Sequence, residues 1–255
     1  VTTRPVLLVT GGLGVVGTLL RPALRQHYHL RIVGKGSPEL PTDDYRAGDL
    51  LDPAFTEDAV RDVDAVLHLA ANAQPRSGWQ QTADNVAMTQ ILLKAAQRQG
   101  VPKIVLASSI HAAGLNYRDG EAPVDPAALP RPCCPYGVSK VACEALGRLH
   151  AVHTGASVLS LRLGLVGWPL TERDYNPTWL SDRDAQALVV HALLSSVRQG
   201  VYFGVSRYAS AFWSLANAQS ELGWLPVDDL PPHSESLPWA TSSPCLLFTS
   251  HSRPA

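Results

Sequence analysis

Val6-Leu7-Leu8-Val9-Thr10-Gly11-Gly12-Leu13-Gly14-Val15-Val16-Gly17 joins a short apolar run to a glycine-rich turn, and the helix-like stretch Thr18 to His27 follows. A buried strand, a glycine turn and a helix N-terminus in that order aim backbone N–H groups and the helix dipole at one point, which suits an anion. Gly12, Gly14 and Gly17 satisfy G-x-G-x-x-G, where the missing side chains permit the tight turn, the close approach of a diphosphate and the packing of helix on strand. The context favours a dinucleotide site over an ordinary strand-to-helix turn.

Working outward, apolar runs recur at Leu30 to Val33, Ala65 to Ala70, Lys103 to Ala107, Val158 to Leu163 and Val201 to Val205. Such runs suit strands buried on both faces, and the segments between them are long enough for crossover helices, so the fold expected is α/β with a doubly wound parallel sheet. Thr82 to Gln99 reads as a helix capped by Gly100, and Asp182 to Gln199 as another with Ala185, Leu188, Val189, Ala192 and Leu193 on one face. Prolines from 123 to 135 make the stretch Gly120 to Pro135 a loop. The 255 residues, 45% of them hydrophobic, can bury one large core. We read 1–229 as a single domain, with small substrate-pocket elements at 164–181 and 206–229, and 230–255 as a Pro/Ser-rich tail.

A net charge of −1 supplies no general field for nucleic acid or an anionic membrane surface. No run approaches the ~20 apolar residues that cross a bilayer, and Val1 to Pro5 lacks the apolar core of a signal peptide, so a cytoplasmic protein is expected. Cys133, Cys134, Cys143 and Cys245 show no C-x-x-C spacing, and the adjacent pair is poorly placed for chelation. Four reduced thiols and no metal site are expected.

Tyr136-Gly137-Val138-Ser139-Lys140 follows a proline and opens a helix, where i,i+4 spacing puts phenol and ammonium on one face. A neighbouring ammonium favours the phenolate, so the pair can relay a proton. Taken alone, it is also what a solvated helix surface looks like. Ser108 and Ser109 end the strand Ile104 to Ala107, at the edge that faces the ligand crevice of a parallel sheet, although a turn with local hydrogen bonds is the plainer reading of two serines.

Thr10 to Gly17, Asp49-Leu50, His68 to Ala71, Asn85, Ser108-Ser109 and Tyr136-x-x-x-Lys140 together resemble an extended short-chain dehydrogenase/reductase of the NAD-dependent epimerase/dehydratase family, over about Val6 to Asp229. Ser108 to His111, Tyr136 to Lys140, Thr178 to Ser181 and Glu221 to Trp224 are most similar to its uronate dehydrogenase branch. The resemblance implies a Rossmann-fold oxidoreductase acting on CH–OH or C=O, with Tyr136 as acid/base, Lys140 on the nicotinamide ribose and Ser109 on the reacting oxygen. It also implies Gly11, Gly14, Val15 and Val16 on the diphosphate, Asp49 and Leu50 on the adenine, and Ala70, Ala71 and Asn72 on the ribose and phosphates. Asn85 is expected to support structure.

The chain departs from that pattern in three places. The acid that binds the ribose 2′-hydroxyl of NAD is absent, and Lys35, with Ser37 nearby, stands where it should be; this favours NADP(H), with NAD(H) possible. In the substrate region Ala73 takes a serine position, Ile110 an asparagine position and Asp174 that of a carboxylate-binding arginine, with Arg173 alongside. A neutral or cationic substrate is therefore expected. His111, Trp168 and Tyr175 complete the candidate pocket, His111 being equally readable as a structural imidazole and His68 as a core histidine. Finally, the chain is short for a nucleotide-sugar epimerase, and Ile110-His111 stands where dehydratases carry acids. The expected function is a biosynthetic ketoreductase using NADP(H) on a small sugar-like or nucleoside-like ring. The alternatives are an NAD-dependent uronate or aldose dehydrogenase and a non-catalytic cofactor sensor. Helices Thr82–Gln99 and Tyr136–His153 resemble those that pair relatives into homodimers.

Overall fold

The structure is a computed structural model that describes residues 4–36, 44–74, 78–167 and 177–230. The strands β1 (Val6–Thr10), β2 (His29–Gly34), β3 (Asp44–Ala47), β4 (Ala65–His68), β5 (Lys103–Ser109), β6 (Ser157–Leu163) and β7 (Gln199–Gly204) form one parallel sheet in the order β3-β2-β1-β4-β5-β6-β7. The chain winds outward through β2 and β3, then returns to place β4 on the other side of β1. Order therefore reverses between β1 and β4, and loops leaving their carboxyl ends part to form a crevice. This is the doubly wound fold expected.

Strand alternation divides the core. Leu7 and Val9 face helices α1 (Val15–Leu24) and α6 (Asp182–Leu194), whereas Leu8 faces α2 (Pro53–Val60), α3 (Trp79–Gln99) and α5 (Pro135–Thr154). Local chemistry sets the helix ends. Asp52 caps α2 by accepting from Ala54 N–H at 2.9 Å, and Ser181 caps α6 by accepting from Asp184 N–H at 3.0 Å. Gly100 ends α3 in the left-handed region, φ 67°, as its position in the sequence implies.

Some boundaries differ from the periodicity reading. Helix α1 begins at Val15 and ends at Leu24, because Gly14 is already its N-cap and the turn feeds the helix directly. Helix α6 stops at Leu194 rather than Gln199. Its apolar face ends at Leu193, Ser195 is extended, and Gln199 opens β7 by pairing with Val158. Strand β4 stops at His68. A short 3-10 turn, Ile110–Ala113, and helix α4 (Gly114–Arg118) follow β5.

After β7 come a 3-10 turn at Tyr208–Ala211 and helix α7 (Ala216–Leu222). Trp213 anchors this region. It is fully buried, lies 5.0 Å from the Phe203 ring and 5.3 Å from that of Tyr117, and its indole N–H donates to Pro177 O at 2.7 Å. The buried Asp184 carboxylate accepts from Ser206 Oγ (2.6 Å), Val227 N–H (2.8 Å) and Asp228 N–H (3.2 Å), tying the end of the described chain to the start of α6. No helix among the described residues is long and apolar enough to cross a membrane.

Candidate active site

The glycine turn is shaped by contacts that leave no room for side chains. Gly11 has φ +68°, and a Cβ there would lie 2.8 Å from Ala70 N. A Cβ on Gly17 would come within 2.5 Å of Gly12 Cα, so helix and turn touch backbone to backbone. Gly11, more than Gly12, thus carries the close approach to the loop after β4. Gly14 caps α1 without a side-chain acceptor, and the first-turn N–H groups, those of Val15 and Val16 among them, have no acceptor within a helix. An open cradle with donors at the positive end of a helix fits the diphosphate of a dinucleotide.

The opposite wall, after β4, is held by α3. Asn72 N–H donates to Asn85 Oδ1 at 2.7 Å, while the Asn85 amide donates to Asn72 O at 3.0 Å and to Ser139 Oγ at 3.2 Å on α5. Ala70 N–H reaches Thr10 Oγ1 at 3.3 Å. Asn85 is buried and holds the loop after β4 at Asn72. His68 sits beneath, its Nδ1 2.7 Å from Thr10 Oγ1 and its Nε2 3.1 Å from Thr89 Oγ1. Burial first, then the charge of Lys140, pushes its pKa down to about 3, so this is a neutral core imidazole.

Lys35 leaves β2 at the crevice edge, and its Nζ pairs with Asp49 Oδ2 at 2.7 Å. That contact, a hydrogen bond first of all, holds the Asp49 carboxyl below its ordinary range. Leu50, expected near the adenine, packs its side chain in the core. Ser37 lies outside the described residues.

Helix α5 sets Lys140 beside Tyr136, and His111, on the turn after β5, touches both Tyr136 and Ser109. Lys140 Nζ is buried, donates to Ala107 O at 2.7 Å and lies 5.4 Å from the Tyr136 ring centroid. Tyr136 meets the His111 ring edge-on at 5.8 Å, and His111 N–H donates to Ser109 Oγ at 3.2 Å. Gly137 permits this approach, since a Cβ there would lie 2.3 Å from His111 O. Ser109 Oγ accepts the hydrogen bond from His111 N–H, and its hydroxyl proton is a donor. Alternation along β5 turns Ser108 the other way, where its Oγ donates to Glu144 Oε1 at 2.5 Å. Glu144 also receives a bidentate pair from Arg162, both bonds 2.9 Å and both side chains almost wholly buried. The sequence reading missed this pair, although an arginine inside the apolar run Val158 to Leu163 is a signal that a buried acid must face it.

The substrate end is only partly described. Ile110 is packed in the core, while Ala73 follows Asn72, the loop residue that Asn85 holds. Trp168, Arg173, Asp174 and Tyr175 lie outside the described residues. The flanks of that segment are pinned, Leu165 N–H donating to Thr178 O at 2.7 Å and Leu180 N–H to Leu165 O at 2.9 Å. The adjacent cysteines also differ from expectation. His111 Nδ1 lies 3.3 Å from Cys133 Sγ and 3.6 Å from Cys134 Sγ, and the three atoms lie within 4.8 Å of one another. Spacing between two neighbours argued against chelation, but the third donor comes from the far side of the loop and reaches both sulfurs.

This geometry has close counterparts. The model of the family described as "NAD dependent epimerase/dehydratase family" matches residues 7–177. The chain belongs to that family. Within it, the NAD-dependent glucose-6-phosphate dehydrogenase of Haloferax volcanii is 31% identical over 248 residues, covering 89% of this chain and 94% of the relative. The uronate dehydrogenase of Pseudomonas syringae is 30% identical over 227 residues, 87% of this chain and 82% of the relative. Among solved structures, the glucuronic acid dehydrogenase of Chromohalobacter salexigens superimposes with a TM-score of 0.84 at 27% identity, over 97% of this chain and 95% of that one. This family member is an NAD(P)-dependent oxidoreductase of the short-chain dehydrogenase/reductase type.

Proposed function

We propose that the protein passes hydride between NAD(P)(H) and a secondary alcohol or ketone on a small sugar-like or nucleoside-like ring. The cofactor supplies the hydride, and the protein orients the partners and handles the proton. The observation that carries this is the buried Lys140 ammonium, held by Ala107 O at 2.7 Å while facing the Tyr136 ring, on a helix whose head abuts the end of β5. Tyr136 gives a proton to the nascent alkoxide in reduction and takes it in oxidation. Lys140 has further N–H donors for a ribose hydroxyl. Ser109 donates to the reacting oxygen. A cofactor sensor without turnover would have no use for this set.

Lys35 supports NADP(H), since an ammonium at the end of β2 can pair with a 2′-phosphate where a carboxylate would repel it. Exchanging its exposed partner Asp49 for a phosphate costs little, because such surface pairs contribute about 0–1 kcal/mol. The second reading, an NAD-dependent uronate or aldose dehydrogenase, is favoured by the relatives, two of which carry glucose 6-phosphate and uronate in their names. Against uronate stands Asp174, which takes the sequence position of a carboxylate-binding arginine, with Arg173 alongside. A biosynthetic ketone reduction in the cytoplasm remains the reading that joins Lys35 to the lost acid-binding groups. Pairing of two copies through the outer faces of α3 and α5, where Val138, Leu149 and Val152 are exposed, is the assembly it carries.

Kinetics with NAD⁺ and NADP⁺ against neutral aldoses, sugar phosphates and uronates test these assignments together. NADP⁺-linked turnover of a neutral ring is the expected result. Rapid NAD⁺-linked oxidation of glucuronate or galacturonate would replace it with the second reading.

A further inference from the structure

Beside the site just described lies a cluster that hydride transfer does not use. His111 on the 3-10 turn after β5, and Cys133 and Cys134 before α5, bring one nitrogen and two sulfurs together, with Nδ1···Sγ distances of 3.3 and 3.6 Å. Tetrahedral zinc, with bonds of about 2.3 Å to sulfur and about 2.0–2.1 Å to imidazole nitrogen, needs N···S edges of about 3.6 Å. Both N···S edges already stand near that value, and all three donor atoms lie within 4.8 Å of one another. The Cys134 Sγ is also the N-cap of α5, accepting from Gly137 N–H at 3.4 Å, so its position is fixed by the head of a 20-residue helix. Cys133 is buried, whereas Cys134 and His111 are partly exposed and give an ion a route in.

We propose that Cys133, Cys134 and His111 form a binding site for one thiophilic cation of the Zn²⁺ class. Two soft thiolates and an imidazole select such an ion over Mg²⁺ or Ca²⁺, which prefer oxygen. Three protein donors leave a fourth position for water or a ligand in the crevice. Because the same imidazole rests edge-on against Tyr136, an ion held there fixes one wall of the crevice. Zinc is thus a ligand of this wall.

Co²⁺ added to the reduced full chain is the test, since its spectrum reports ligands without any assay of turnover. A near-ultraviolet sulfur-to-cobalt charge-transfer band and the strong visible bands of a tetrahedral ion should saturate at one equivalent, and Zn²⁺ should bleach them. Cys134→Ser keeps an oxygen cap for α5, so the fold survives by circular dichroism, and the charge-transfer band should fall to half or less. Zn²⁺ affinity should drop by more than the about 10–100-fold that losing an outer-shell partner costs. In the parent, Zn²⁺ should slow alkylation of Cys133 and Cys134 while leaving Cys143 unaffected. Absence of the charge-transfer band in the parent, a band that Cys134→Ser leaves intact, or alkylation of Cys133 and Cys134 unchanged by Zn²⁺ would each overturn the proposal. None of these readouts depends on the substrate or on the role of Tyr136.

Discussion

The two ends of the crevice are made of different material. At β1 and β2 the wall is backbone: Gly11, Gly14 and Gly17 leave space and N–H groups, with one exposed ion pair, Lys35–Asp49, at the margin. At β5 and α5 it is side chain: Ser109, Tyr136, Lys140 and His111, supported from below by the buried Glu144–Arg162 pair. A backbone wall carries no titrating group and tolerates only small residues. A side-chain wall depends on partners distant in sequence and fails when one is lost. His68 lies at the seam, bonded to Thr10 on β1 and Thr89 on α3.

Substitutions can break this contrast or sharpen it. Tyr136→Phe removes the proposed proton relay and nothing of the glycine turn. Turnover should fall by about 10²–10⁴-fold, the range for general acid–base groups, with NAD(P)⁺ affinity by calorimetry changed little. Activity within tenfold of the parent would mean that the side-chain end does not carry the chemistry. Glu144→Ala leaves the Arg162 guanidinium buried without its acid, and urea unfolding should show a loss of about 3–5 kcal/mol. An unchanged midpoint would show that Arg162 finds another route to solvent or partner.

The seam has its own pH signature. The folded pKa of His68, about 3, lies below its ordinary 6.5, so the unfolded chain binds more protons between those values. The contribution of the neutral imidazole is complete above about pH 6.5 and is lost as pH falls toward 3. Between pH 7 and pH 5 urea unfolding should lose about 2 kcal/mol to this group, and His68→Gln should flatten that slope. A slope identical in parent and variant would deny the seam this role. The smallest effect belongs to the margin of the backbone wall. Lys35→Asp should shift the ratio of kcat/KM for NADP⁺ over NAD⁺ by about tenfold toward NAD⁺, an exposed charge being screened by solvent. No shift would remove Lys35 from cofactor choice.

The sequence by itself determined what rests on near neighbours in the chain. A strand, a glycine turn and a helix are local events, so the dinucleotide cradle, the parallel sheet and the cap at Gly100 were legible from spacing. The i,i+4 relation of Tyr136 and Lys140 was equally local. Tertiary structure alone decided what faces what. Strand alternation separates Ser108 from Ser109. Leu50 and Ile110 turn into the core, Asn85 pins the loop after β4, and Asp49 answers Lys35. His111 meets Cys133 and Cys134 across 22 and 23 positions of chain, a distance over which periodicity carries no information. Side-chain partners are chosen by the sheet order and by the packing of α3 and α5 on it. The pattern of residues along the chain specifies which faces are buried, but not which two buried polar groups will meet there.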